Sequence, residues 1–297
     1  MTMTNSNSDS SPDSSIVTIQ APAKINLYLT VTGRRPDGYH LVDSLVAFTT
    51  LGDVLTIKPG QPLKVTSDGP FAAKMPPPYK NLVYLAAQRL ADAAGVAARA
   101  DITITKNLPI AAGIGGGSAD AAAALRALAS VWGVSDAQVN LEEIGLPLGS
   151  DLPVCIRGET SYVGGIGEIL TPGPALPKAG LLLVNPGVAL VTASVFGARK
   201  GGFNPEHPLE RTPRDAAELA ALLKDRDNDL TPSALRLCPV VRDVLSALNS
   251  APGCHLGRMT GSGATCFGIF DDKAAAEAAK SSVTREGWWA EATEIAV

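Results

Sequence analysis

Residues 108–126, LPIAAGIGGGSADAAAALR, constrain this chain more than any other stretch. Four glycines in five positions (Gly113, Gly115, Gly116, Gly117) precede Ser118 and an alanine-rich run that reads as a helix from Ala119 to about Val131. Glycine accepts positive φ and lets backbone approach a ligand closely. A helix start leaves N–H groups unpaired, and with the helix dipole they favour an anion. Ser118 is the expected N-cap, and the strand-like DITITK over 101–106 delivers the chain into the loop. Strand, loop and helix together predict a cradle for phosphate. Which cradle stays open at this point: no Gly-Lys-Ser/Thr closes the loop, and Ser118 breaks the G-x-G-x-x-G spacing. A glycine-rich turn that only caps a helix is the plainer alternative.

The 297 residues suit one large or two medium domains. A formal charge of −4, with no basic run beyond Arg34-Arg35, argues against a nucleic-acid surface. No apolar run approaches the roughly 18 residues that span a bilayer, and no secretory or transit segment is recognisable. A soluble, cytoplasmic protein is expected. Cys155, Cys238, Cys254 and Cys266 lie far apart and read as reduced thiols. Cys254 adjoins His255, but adjacency in sequence is not pairing in space. His40, His207 and His255 show no metal-ligand spacing, so no zinc site is expected.

Residues 1–15 are polar and low in complexity, and read as a disordered tail. IVTIQAPAKINLYLTVTG predicts two strands broken at Ala21-Pro22, followed by a turn at 34–38. Further strands over 43–58 carry a turn at Gly52-Asp53, and 67–80 reads as loop. Residues 81–98 have helical periodicity. Ser135 with Gln138 resembles a capping box for a helix over 136–144. GSDLP at 149–153 starts a short helix with Asp151 in its first turn. Beyond 160 the pattern predicts glycine-rich strands, helices near 192–200, 214–225 and 239–250, and strands near 256–270 and 288–296 around a helix over 272–283. Strands and helices mix in both halves, so the fold class is α+β, with domains over 16–160 and 161–297.

Three segments are in register with one another: PAKINLY at 22–28, PIAAGIGGGSAD at 109–120 and TGSGATC at 260–266. In this order they resemble the three motifs of the GHMP small-molecule kinase superfamily. TGRRPDGYHLVDS (32–44), GSDLP (149–153) and NDL (228–230) are similar to the branch whose acceptor is a cytidine diphosphate-linked methylerythritol. That branch phosphorylates the acceptor's 2-hydroxyl with ATP and magnesium, in the non-mevalonate isoprenoid pathway. The resemblance implies a GHMP kinase fold of two domains, the first ribosomal-S5-like and the second ferredoxin-like, with the active site between them. It implies a small-molecule substrate and neither nucleic acid nor membrane as partner. Homoserine or mevalonate kinase, or a non-catalytic nucleotide-binding member of the fold, remain as alternatives.

Residue by residue, the resemblance makes Lys24 and Asp151 catalytic. Lys24 would offset charge developing in the transition state, and Asp151 would orient the acceptor hydroxyl more than deprotonate it. The stretch Pro109, Ala111, Ala112, Gly113, Ile114, Gly115, Gly116, Gly117 and Ser118 would hold ATP, helped by Gly261 and Ser262. Asp120 is offered to magnesium, directly or through water. Lys106 would face the phosphates, against the alternative of a solvated strand-end lysine. Asn81 matches the adenine-side residue, against that of a helix cap. For the cytidine group the resemblance points to Asn26, Tyr39, His40, Thr192 and Phe196. Tyr39 and Phe196 would sandwich the ring, and His40 would read its polar edge.

Overall fold

The computed structural model describes residues 16–297, so the expected tail over 1–15 lies outside the described residues. The chain begins with a long hairpin, β1 (Val17–Arg34) against β2 (His40–Pro59). β3 (Lys64–Asp68), α1 (Leu82–Ala94), β4 (Ala100–Thr105) and α2 (Gly116–Trp132) follow. Two short helices, α3 (Leu141–Gly145) and α4 (Leu152–Arg157), lead into β5 (Ser161–Gly164) and β6 (Ile169–Pro172). The first sheet runs β3-β4-β2-β5-β6, with β1 along the other edge of β2.

The second part comprises β7 (Gly180–Asn185), α5 (Thr192–Gly197), α6 (Ala216–Leu223), α7 (Thr231–Leu237) and α8 (Val240–Asn249). It closes with β8 (Leu256–Met259), β9 (Cys266–Phe270), α9 (Lys273–Val283) and β10 (Trp289–Glu294). Its sheet runs β10-β7-β9-β8, antiparallel throughout. Numbered within the sheet, that is the 4-1-3-2 order of a ferredoxin-like unit.

Several expectations are corrected. β1 is one strand and not two, because Pro22 is absorbed at a bulge between Pro22 and Lys24. β2 likewise passes straight through Gly52-Asp53. Any Cβ on Gly52 would collide with the Ala21 carbonyl, so glycine there permits a close crossing and makes no turn. Ser135 does bond Gln138 through its backbone N–H and hydroxyl, but this closes a turn. The helix starts only at Leu141, capped by Asn140. Gly95, with φ of 68°, ends α1 before residue 98. α7 had no counterpart among the expected helices. The change of sheet falls between Pro172 and Gly180 and not at 160, because β5 hydrogen-bonds to β2 at Ser44–Val46.

Alternation sets the layers. In β4 the residues alternate buried and half-buried, turning Ile102 and Ile104 toward α1 and α2. Ala121 to Ala124 on α2 are fully buried, and their small side chains let the helix lie close on the sheet. β1 is the wall shared by both parts: Ala23, Ile25 and Leu27 pack in one core with Leu181 and Leu183 of β7 and Phe267 of β9. Bridges Leu29–Asn228 and Thr49–Ile295 tie the two parts again.

Candidate active site

A cavity of about 920 Å³ opens where the glycine loop, the start of β1, the β1–β2 turn, α4 and α5 converge. The loop's shape rests on contact with the C-terminal part. Gly113 has φ of 77°, and a Cβ there would lie 2.5 Å from the carbonyl oxygen of Gly263. A Cβ on Gly261 would lie 2.6 Å from the oxygen of Gly113, so the two turns interlock as bare backbone. Thr265 N–H donates to the Ala112 carbonyl at 3.2 Å. The N-cap of α2 is Gly115, with φ of 67°, and not Ser118. Ser118 instead sits within the first turn, where it lines the cavity with Gly116 and Gly117.

Lys24 is buried, and its backbone N–H donates to the Ile114 carbonyl at 3.0 Å. Its Nζ donates to Asn26 Oδ1 at 2.8 Å and lies 3.3 Å from Asp151 Oδ2. Asn26 is fixed in turn by its Nδ2 donating to Ser44 Oγ, and by Thr260 Oγ1 accepting from its N–H, both at 2.8 Å. Asp151 stands at the N-cap position of α4 without capping it, and its side chain is 49% exposed. The carboxylate therefore serves the cavity and not the helix.

Lys106 is not solvated. Buried at the end of β4, it donates to Asp53 Oδ2 and, at 2.7 Å, to Asp120 Oδ2. Burial pulls its pKa down, but the two carboxylates outweigh this and lift it above the ordinary value. Asp53 is completely buried, and its Oδ1 accepts from the N–H groups of Asn107 at 2.6 Å and Leu108 at 2.9 Å. Asp120 Oδ1 is buried with no hydrogen-bond partner, and burial pushes its carboxyl up to about 7. One ammonium between two carboxylates leaves this triad with an excess negative charge when all are ionised.

On the opposite wall His40 stacks on Phe196, ring centroids 5.2 Å apart and planes at 29°. His40 is held below its ordinary pKa by burial first, then by the charges of Arg34 and Arg199. It is the neutral imidazole that faces the cavity at neutral pH. Thr192 lines this side and its hydroxyl lies 3.0 Å from that of Ser262.

The sequence and its fold have close counterparts. Family models for the GHMP kinases N terminal domain and GHMP kinases C terminal match residues 81–159 and 207–288. A 4-diphosphocytidyl-2-C-methyl-D-erythritol kinase of Paramagnetospirillum magneticum is 50% identical over 273 residues, 91% of this chain and 95% of that protein. The chain belongs to the 4-diphosphocytidyl-2-C-methyl-D-erythritol kinase family. Another member, from Paracoccus denitrificans, is 51% identical over 280 residues, covering 93% and 96% of the two chains. The crystal structure of a 4-(cytidine 5'-diphospho)-2C-methyl-D-erythritol kinase superposes with a TM-score of 0.75 at 32% identity, over 94% of this chain and 99% of that one. The protein is thus a small-molecule kinase of the GHMP fold.

Within this kinase the cavity gathers Lys24, Asn26, Tyr39, His40, Lys106, Asp120, Asp151, Thr192, Phe196, Gly261, Ser262 and the glycine loop from Pro109 to Ser118, Ile114 excepted. Ile114 is buried below the loop, and only its carbonyl is used, by Lys24. Asn81 is not among the lining residues; it is the N-cap of α1, its side chain accepting from Val83 N–H at 2.9 Å, between Lys80 and Leu82, which do line the cavity. Tyr39 and Phe196 both line the cavity. His40 already covers Phe196, while Tyr39 stands 59% exposed at the rim. Cys254 makes no pair with His255, whose Nε2 lies 2.7 Å from Asp271 Oδ1, and burial raises the Cys254 thiol. Sequence reasoning missed Asp53, Ser44 and Thr260. Their only signal is a polar residue inside an apolar strand or beside a glycine turn. Among the described residues no helix is long and apolar enough to cross a membrane.

Proposed function

We propose that the kinase transfers the terminal phosphoryl group of ATP to the 2-hydroxyl of 4-diphosphocytidyl-2-C-methyl-D-erythritol, a step of the non-mevalonate isoprenoid pathway in the cytoplasm. The observation that carries this reading is one cavity holding the Lys24–Asp151 pair, the interlocked glycine loop and the His40–Phe196 stack. An aromatic face suits a pyrimidine, and backbone N–H groups at a helix start suit phosphate. The partly exposed Asp151 carboxylate accepts a hydrogen bond from the acceptor hydroxyl. Lys24, fixed by Asn26 Oδ1, places its ammonium beside the oxygens among which the phosphoryl group moves. Little prior deprotonation is needed in a loose transfer, so holding nucleophile and phosphorus in line is the larger part of the catalysis.

Magnesium fits the donor side in one respect. Its ordinary demand on protein is one or two carboxylates beside the substrate phosphates, and Asp120 Oδ1 is a buried carboxylate oxygen with no partner. Asp120 is accordingly the residue we assign to it, where the cation would neutralise phosphate charge. Gly261 and Ser262 also line the cavity, the first against the Gly113 carbonyl and the second beside Thr192.

An acceptor panel tests the reading. ADP release is measured with 4-diphosphocytidyl-2-C-methyl-D-erythritol, homoserine and mevalonate. Turnover of the first alone is expected. Turnover of homoserine or mevalonate alone would move the protein to another branch, and nucleotide binding without any turnover would make it a non-catalytic member.

A further inference from the structure

Four cationic side chains line the cavity: Lys24, Arg34, Lys80 and Lys106. Lys24 is paired with Asp151, and Lys106 with Asp53 and Asp120. The neighbouring Arg35 is taken by Asp37 at 2.8 Å. Arg34 and Lys80 alone among these have no carboxylate partner among the described residues. They belong to different ends. Lys80 precedes α1, whose first residue Leu82 approaches Gly117, so it lies on the side of the glycine loop. Arg34 ends β1, and the only hydrogen bond of its side chain among the described residues is from Nε to the Gly38 carbonyl at 3.2 Å. Its guanidinium therefore lies across the turn that carries Tyr39 and His40, with the terminal nitrogens unclaimed. The charge it imposes on His40 places both groups in one corner.

An acceptor with its base on His40–Phe196 and its hydroxyl at Lys24–Asp151 must lay its anionic diphosphate along the wall between them. We propose that Arg34 is a specificity-determining residue that binds this diphosphate through its free guanidinium nitrogens, an inference that rests on the cytidine diphosphate acceptor proposed above. A planar fork of N–H donors matches phosphate oxygens in a way a lysine does not. The tether to Gly38 fixes the fork before the acceptor arrives, so less side-chain freedom is lost on binding.

The test is titration of the full chain with CDP and with cytidine, the donor side being filled by a non-hydrolysable ATP analogue. The wild type is expected to prefer CDP. In Arg34→Ala that preference drops by about tenfold, and Arg34→Lys recovers only part of it. Lys80→Ala keeps the preference. Equal weakening of CDP and cytidine in Arg34→Ala, or no weakening of either, would reduce Arg34 to a brace for the turn and overturn the inference. The same loss in Lys80→Ala would also overturn it, as a general field effect. A wild type that binds neither CDP nor cytidine sinks the cytidine acceptor itself, which the first two failures leave standing.

Discussion

Lys24 lies between Ala23 and Ile25, both completely buried in the shared core, so the alternation of the strand turns its side chain to the opposite face of β1, where the cavity lies. Its partners Asn26 and Asp151 come from the same strand and from the start of α4. Lys24→Ala should lower turnover by about a hundredfold or more while ATP affinity is largely kept, and Asp151→Asn should do the same. Rates near wild type in steady-state assays would remove that residue from the chemistry. Asp120 gives a separate handle. Its carboxyl is pushed up to about 7 by burial, so below that pH the proton is held and a cation must displace it. The apparent affinity for ATP with magnesium should therefore fall as pH drops below about 7. More magnesium should move that midpoint to lower pH, and Asp120→Asn should abolish the movement. A midpoint indifferent to magnesium would place the cation elsewhere.

At the scale of elements, the glycine loop is where local pattern was most informative. Its four glycines, the strand before it and the helix after it are neighbours in sequence, so their joint shape is a local matter. The residues that brace the loop are not neighbours. Asp53 holds the corner at Asn107 and Leu108 only because β2 pairs with β4 from Val54–Thr105 onward. In sequence a Gly-Asp pair reads as a turn. His40 and Phe196 come from a hairpin turn and a helix far apart in the chain, and which aromatic covers which depends on how the two parts meet. The resemblance supplied both residues but not their stacking. Gly113→Ala tests the loop as an element. A side chain at φ of 77° costs about 1–2 kcal/mol by itself, and the Cβ would also press on Gly263. A lower Tm and weakened ATP binding are expected together, with acceptor-side binding of cytidine less affected. Gly95→Ala, whose added Cβ meets nothing within 4 Å, should lose stability only, since Gly95 lies at the far end of α1.

For the whole molecule, the two sheets are joined by more than a linker. β1 contributes apolar residues to the core shared with the second sheet, Thr260 Oγ1 accepts from Asn26 N–H, and Ala296 N–H donates to the Phe48 carbonyl at 2.9 Å. A division at residue 160 is visible in composition but does not follow the packing. Unfolding should accordingly be a single transition, with tryptophan fluorescence and far-UV circular dichroism coinciding. Two separated transitions would show that the sheets fold independently.

The interlocking of Gly113 with Gly261 and Gly263 has a consequence for how the molecule comes into being. A ribosome makes the glycine loop long before it makes the turn that the loop leans on. Until residue 263 has emerged, the phosphate cradle lacks a backbone wall. A chain that stops short of residue 263 should therefore bind nucleotide more weakly than the full chain, because one wall of the cradle is missing.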